Sequence, residues 1–265
     1  MTFVQAQGAR LFTRVDGLAS ADAPWLVLSN SLAADHTMWE PQMPLLASRY
    51  RVLRYDTRGH GRSDAPAGLY RLAMLVDDVV RILDHYEVEK TSFMGLSLGG
   101  MIGLGLAIGH GDRIEKLVCC DARADAPEAY VKGWDERLAV VEREGLRGIL
   151  QGTVERWLVP SFRAAHPEVV ASVERMILAT PVTGYKGCAE ALKRLDYLKD
   201  LPRIAVPTLF VVGVEDLGAP PDVMRRMAEA VPGAKLVIIP DAAHLPNLDN
   251  TMVFNEAVAG FLGLR

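Results

Sequence analysis

Ser97, Asp216 and His244 are the residues of this 265-residue sequence whose types and order could do chemistry together, as nucleophile, orienting acid and base of an acyl transfer. Ser97 stands in Gly95-Leu96-Ser97-Leu98-Gly99, directly after the apolar run 91–94 and directly before the helix-like segment 100–109. A serine on a sharp strand-to-helix turn takes strained backbone angles that leave no room for side chains around it, hence a glycine two residues to either side. The helix that follows offers unpaired N–H groups and a positive dipole end to a developing oxyanion. A hydroxyl is a weak nucleophile, so a base and an acid must follow in the chain order Ser, Asp/Glu, His. Asp216 comes after the run 208–212 through Gly213-Val214-Glu215, and His244 after the run 235–239 through Pro240-Asp241-Ala242-Ala243. Glu215 is the competing acid, but it comes sooner after its strand.

The remaining histidines fit a base less well. His85 and His110 end helices, His166 falls in a helical insert, and His36 and His60 precede the nucleophile, so all read as surface or capping residues. A second oxyanion donor is expected from the loop Ser29-Asn30-Ser31-Leu32-Ala33, where the backbone N–H of Leu32 would join that of Leu98.

The elements that must position these groups are legible as a rhythm. Residues 2–16 hold two short strand-like pieces around Gly8, and compact apolar runs follow at 25–29, 51–55, 91–94, 114–120, 208–212 and 235–239. Segments of helical period separate them, such as Leu72, Leu75, Val76, Val79, Val80 and Leu83. Parallel strands need right-handed crossovers, so helices should cover both faces of one sheet. Between 123 and 198 the rhythm stops and only helical patterns remain. The expected organisation is an α/β core of residues 1–122 and 199–265 with a helical lid at 123–198 over the carboxyl ends of the strands, where open α/β sheets bind ligands.

Composition limits the alternatives. Half the residues are hydrophobic, 23% are charged and the formal charge is −4, with no Lys/Arg run to meet a phosphate backbone or an anionic membrane. Nucleic acid and membrane are therefore not expected partners. The longest apolar stretch, 96–108, is broken by glycines and too short for a bilayer core of about 30 Å. The N-terminus lacks a basic region followed by an apolar one, and the three cysteines read as reduced core thiols, so the expected location is cytoplasmic. No HExxH, CxxC pair or acidic cluster has metal-ligand spacing, and Gly103-Leu104-Gly105 lies inside a helix where a dinucleotide motif would open one. No metal or cofactor is expected, and the oligomeric state stays open.

Taken together, Ser29-Asn30-Ser31-Leu32, Asp35, Met38-Trp39, the segment 56–63, Gly95-Leu96-Ser97-Leu98-Gly99-Gly100-Met101 and Ala243-His244 resemble the 3-oxoadipate enol-lactonases among the α/β-hydrolases. The resemblance implies a mostly parallel eight-stranded sheet and hydrolysis of an ester or lactone through an acyl-serine, with an enol-lactone of aromatic catabolism as substrate. Where an Asn-Thr-Ala type sequence is expected, this chain has Cys120-Asp121-Ala122-Arg123, beside the site. Such a lactone carries a free carboxylate. Arg123, at the end of strand 114–120, is the expected partner for it, with Lys132 and Arg137 next; a surface salt bridge from Arg123 to Asp121 or Asp125 is the plain alternative. Of Trp39, Trp134 and Trp157, Trp134 is expected to line the pocket. Two other functions remain open at this stage: a broad short-acyl carboxylesterase, and a non-catalytic ligand-binding protein on a hydrolase fold.

Overall fold

The computed structural model describes residues 1–20 and 22–264. The chain opens with a hairpin, β1 (Thr2–Ala6) and β2 (Ala9–Gly17), turning at Gly8 with φ +71°. Then follow β3 (Trp25–Ser29), β4 (Arg51–Tyr55), β5 (Thr91–Leu96), β6 (Ile114–Cys120), β7 (Thr208–Gly213) and β8 (Lys235–Ile239). They form one eight-stranded sheet in the order β1-β2-β4-β3-β5-β6-β7-β8, antiparallel at the β1–β2 and β2–β4 pairs and parallel elsewhere. Every residue of β5 and β7 is buried, which is why those strands read as unbroken apolar runs: helices cover both faces.

The helices are α1 (Met43–Leu46), α2 (Leu72–His85), α3 (Leu98–Gly109), α4 (Glu128–Glu144), α5 (Leu150–Trp157), α6 (Pro160–Ala165), α7 (Pro167–Ala179), α8 (Val182–Leu192), α9 (Pro221–Ala230), α10 (Pro246–Asp249) and α11 (Thr251–Leu262). Helix α2 is one-sided: Leu72, Leu75, Val76, Val79, Ile82 and Leu83 are buried while Arg81 and Asp84 face solvent. Helix α3, buried from Leu98 to Ala107, is apolar all round because it lies against β3, β5, β6 and α2 at once. Its glycines serve that packing. A Cβ on Gly103 would lie 2.8 Å from Leu117 and 2.9 Å from Phe93 on the sheet, and one on Gly105 would lie 2.6 Å from the Tyr197 hydroxyl and 2.8 Å from Val76.

The strand order reverses direction at β3, with β4 on one side and β5 on the other, and the loops after β3 and β5 leave the same carboxyl edge. Such a switch point opens a crevice. Helices α4 to α8, all between β6 and β7, are fastened to the core at several points. The Asp125–Asp196 backbone bridge and the Tyr197 N–H to Ala124 O bond at 2.7 Å tie the two ends of the insert together, and Leu245 N–H donates to Trp157 O at 3.0 Å from the core. Gly184 on α8 touches Gly59, whose φ is +82°, so closely that a Cβ on residue 184 would fall 2.0 Å from Gly59 O. Gly184→Ala should accordingly cost about 1–3 kcal/mol through overpacking against backbone. Thermal melting reads this as a Tm lower by about 2–4 °C per kcal/mol; an unchanged Tm would show that this contact can relax without cost.

The three cysteines are buried and unpaired, and burial pushes their thiols above the usual range. Among the described residues no helix is long and apolar enough to cross a membrane.

Candidate active site

Ser97 occupies the turn between β5 and α3 with φ +56° and ψ −114°, a conformation costly for any L-residue. The turn is held from outside: Ser97 N–H donates to Cys120 O at 2.8 Å, and Gly99 N–H to Asn30 O at 3.0 Å. The two glycines have separate tasks. A Cβ on Gly95 would lie 2.1 Å from Gly99 O, so Gly95 permits the reversal itself. A Cβ on Gly99 would lie 2.2 Å from Ser29 O, so Gly99 lets α3 reach the end of β3 and brings the Leu98 N–H beside the loop that carries Leu32. Among the described residues neither the Leu32 nor the Leu98 N–H has a protein acceptor.

That loop is fixed by side chains. Asn30 Nδ2 donates to Tyr55 O at 2.7 Å, Trp39 Nε1 donates to Asn30 Oδ1 at 3.0 Å, and Ser29 Oγ pairs with the Tyr55 hydroxyl at 2.7 Å. Ala33, with φ +63°, donates its N–H to His60 Nε2 at 2.9 Å, while His60 Nδ1 faces Arg58 O at 3.2 Å. His60 must then be neutral with its proton on Nδ1, and full burial lowers its pKa in the same sense. This corrects the expectation of a surface or capping role: His60 is fully buried. His36 is buried too, bonded through Nδ1 to Asp56 Oδ1 at 2.8 Å.

Asp216 and His244 meet as the chain order requires. His244 Nδ1 lies 2.9 Å from Asp216 Oδ2, and Asp216 Oδ1 accepts the Gly218 N–H at 2.7 Å. Burial pushes the Asp216 carboxyl up, but His244 and the N–H groups of Gly218 and Ala219 outweigh it and hold the pKa below the usual carboxylate value. Glu215 is exposed. The Trp157 ring lies over His244 with centroids 6.4 Å apart, and Asp249 Oδ2 accepts the N–H groups of Ala243 and Val159 at 2.8 and 3.3 Å, tying the histidine loop to the helical insert.

Ser97, Asp216 and His244 open into one cavity of about 400 Å³, with Leu32, Arg123 and Trp134 also in its wall. Trp39 belongs to the core, whereas Trp157, not singled out from the sequence, lines the cavity. Arg123 is already engaged: it pairs with Asp125 at 3.2 Å, donates to Gly218 O at 3.3 Å, and stacks on Tyr130 with 5.0 Å to the centroid. The pairing with Asp125 weighed as the plain alternative for Arg123 does form, but in the cavity wall and not at the surface, and the bond to Gly218 straps the start of the helical insert to the acid loop. Lys132 is exposed and outside the cavity wall. Arg137, over the Trp134 ring at 4.5 Å, and Arg156, which sequence reasoning missed, both line the cavity, and among the described residues neither has an ion-pair partner. Burial and the nearby Arg137 charge lower Arg156 to about 10, so it stays a cation at neutral pH.

Comparison with known proteins agrees with this architecture. The family model of the alpha/beta hydrolase fold matches residues 24–251. A 3-oxoadipate enol-lactonase from Acinetobacter baylyi is 34% identical over 238 residues, covering 90% of this chain and 88% of that protein. The crystal structure of the enol-lactonase from Burkholderia xenovorans LB400 superposes with a TM-score of 0.95 at 36% identity, covering 99% of this chain and 100% of that one. A thermophilic esterase from Thermogutta terrifontis, solved with malate bound, gives 0.90 at 30% identity over 99% and 97% of the two chains. The protein is thus a hydrolase that belongs to the α/β-hydrolase fold family and, within it, resembles the 3-oxoadipate enol-lactonases.

Proposed function

We propose that this enzyme hydrolyses an anionic enol-lactone of the 3-oxoadipate type through an acyl-serine, with Ser97, His244 and Asp216 as its triad. The observation that carries the reading is the junction of Ser97, on a strained turn beside free N–H groups, with the His244–Asp216 pair in one cavity. Ser97 Oγ attacks the lactone carbonyl carbon while His244 Nε2 takes its proton. The Asp216 carboxylate keeps the other proton on Nδ1 and stabilises the imidazolium. The oxyanion is met by the N–H groups of Leu32 and Leu98. The carbonyl–oxygen bond of the ring breaks, and His244 returns the proton to the leaving enol oxygen. The enol tautomerises to a ketone, which draws ring opening forward. Water, deprotonated by His244, then releases the acyl group and restores Ser97. Helices α4 to α8 act as the lid that closes this site, and a reducing cytoplasm suits the buried thiols.

The substrate's free carboxylate is best received by Arg137 and Arg156, two cations of the cavity wall that have no ion-pair partner among the described residues. A buried carboxylate is costly unless such groups meet it, and a guanidinium can do so with two parallel N–H bonds. Arg156→Ala should therefore raise KM for the anionic lactone at least tenfold, about 1.4 kcal/mol. Hydrolysis of a neutral short-acyl ester should change far less. The competing reading, a general short-acyl esterase, draws on the esterase neighbour and the aromatic and aliphatic side chains in the wall, among them Trp134, Trp157 and Leu192. Ranking a panel of lactones and esters by kcat/KM separates the two. A wild-type enzyme without preference for the anionic lactone, or equal loss on both substrates in Arg156→Ala, would leave the esterase.

A further inference from the structure

The residue that follows β6 has no place in the mechanism above, yet it lies beside the acid and the base. Asp121 is fully buried, holds φ +47°, and accepts the Gly213 N–H on Oδ1 at 2.9 Å. Its other oxygen, Oδ2, has no hydrogen-bond partner of ordinary geometry. One ligand atom each from Asp121, Asp216 and His244 lie within 4.8 Å of one another. Two carboxyl groups this close, each at most 2% exposed, disfavour ionisation of both at once.

The surroundings decide which of them keeps a proton. Asp216 faces His244 and the N–H groups of Gly218 and Ala219, all of which favour its anion. Asp121 receives one N–H only; of its titratable neighbours, Asp216, Asp249 and the thiols of Cys119 and Cys120 supply no cation, and His244, within 4.8 Å, gives its hydrogen bond to Asp216. The nearby Arg123 directs its guanidinium to Asp125 and Gly218. We propose that Asp121 stays protonated in the resting enzyme and donates its proton in a hydrogen bond to the Asp216 carboxylate, making the acid limb a proton-sharing pair. Asp121 is thereby a positioning residue. Its Oδ1 anchors the start of the acid loop at Gly213, its hydroxyl holds Asp216, and the pair presents one negative charge to His244. Burial and the Asp216 charge both push the Asp121 carboxyl well above the usual range, in the same sense.

This rests on Asp216 as the triad acid, and the test separates the two assignments. At pH 7.5, above the value of about 6 to which burial raises Asp249, the infrared carbonyl stretch of a protonated carboxylic acid should be present in the wild type and absent in Asp121→Asn. That readout is independent of substrate. Asparagine tolerates positive φ, still accepts from Gly213 and still donates to Asp216. Asp121→Asn should lose less than about tenfold in kcat, whereas Asp121→Ala, lacking both contacts, should lose more in kcat than in KM. Identical infrared spectra of wild type and Asp121→Asn would overturn the proposal. So would a folded Asp121→Asn as inactive as Asp216→Asn, since Asp121 would then be an ionised acid serving His244 directly. If Asp121→Ala fails to fold, the comparison with asparagine and the infrared band still decide.

Discussion

Ser97→Ala should yield a folded enzyme whose kcat/KM falls on the order of 10⁴-fold or more, about 5.4 kcal/mol of transition-state stabilisation. The change removes one oxygen from a turn that the rest of the structure over-determines. Ser97 N–H still bonds to Cys120 O, Gly99 N–H to Asn30 O, and the contacts at Gly95 and Gly99 are backbone contacts. The Tm should thus stay within a few degrees of wild type, about 1 kcal/mol or less. Binding of an anionic product should survive, because Arg137 and Arg156 line the same cavity independently of the nucleophile. Residual hydrolysis would come from the Leu32 and Leu98 N–H groups and from binding alone. Steady-state kinetics on the lactone and titration of the hydroxyl-free variant with product check the two halves. Near-normal turnover by purified Ser97→Ala would remove the acyl-serine mechanism altogether.

Asp216→Asn is the second large effect, approaching 10⁴-fold in kcat, whereas Glu215→Gln should change kcat less than about twofold. Asp216 Oδ2 meets His244 Nδ1 at 2.9 Å and can only accept, which places the ring proton on Nδ1 and leaves Nε2 free as a base. An amide there can turn its NH₂ to Nδ1, which selects the opposite tautomer and disables the base. Glu215 is the adjacent carboxylate in sequence, but its side chain is exposed and its backbone N–H alone is tied down, to Ala242 O at 2.9 Å. The pair of variants asks which neighbour is the acid. If Glu215→Gln were the more damaging, the acid assignment would fail.

The positions of Ser97, Asp216 and His244 in the fold were determined by the sequence, because each requirement is local. A nucleophile turn needs glycines two residues away; Asp216 and His244 need only follow apolar runs that read as strands, fully buried in β7 and partly exposed in β8. The sheet itself was legible for the same reason, since covering both faces forces continuous apolar segments. Leu98 and Leu32 were expected to offer only backbone N–H groups, so position alone was enough to single them out.

What tertiary structure decided was every contact between segments distant in the chain. The helical period of α5 gave no sign that Arg156 would line the same cavity as Ser97, because which side of a helix meets the cavity depends on how it docks against the core. Arg123 stood at the right strand end, yet Asp125, two residues on, and Gly218, on the acid loop, claimed its guanidinium. His60 read as a bland surface residue because its acceptor role toward Ala33 exists only once the loops after β3 and β4 are brought side by side. Asp121 was visible as an odd residue after β6, but its meaning depends on a second carboxyl ninety-five positions away being folded to within 4.8 Å, where one buried charge disfavours another.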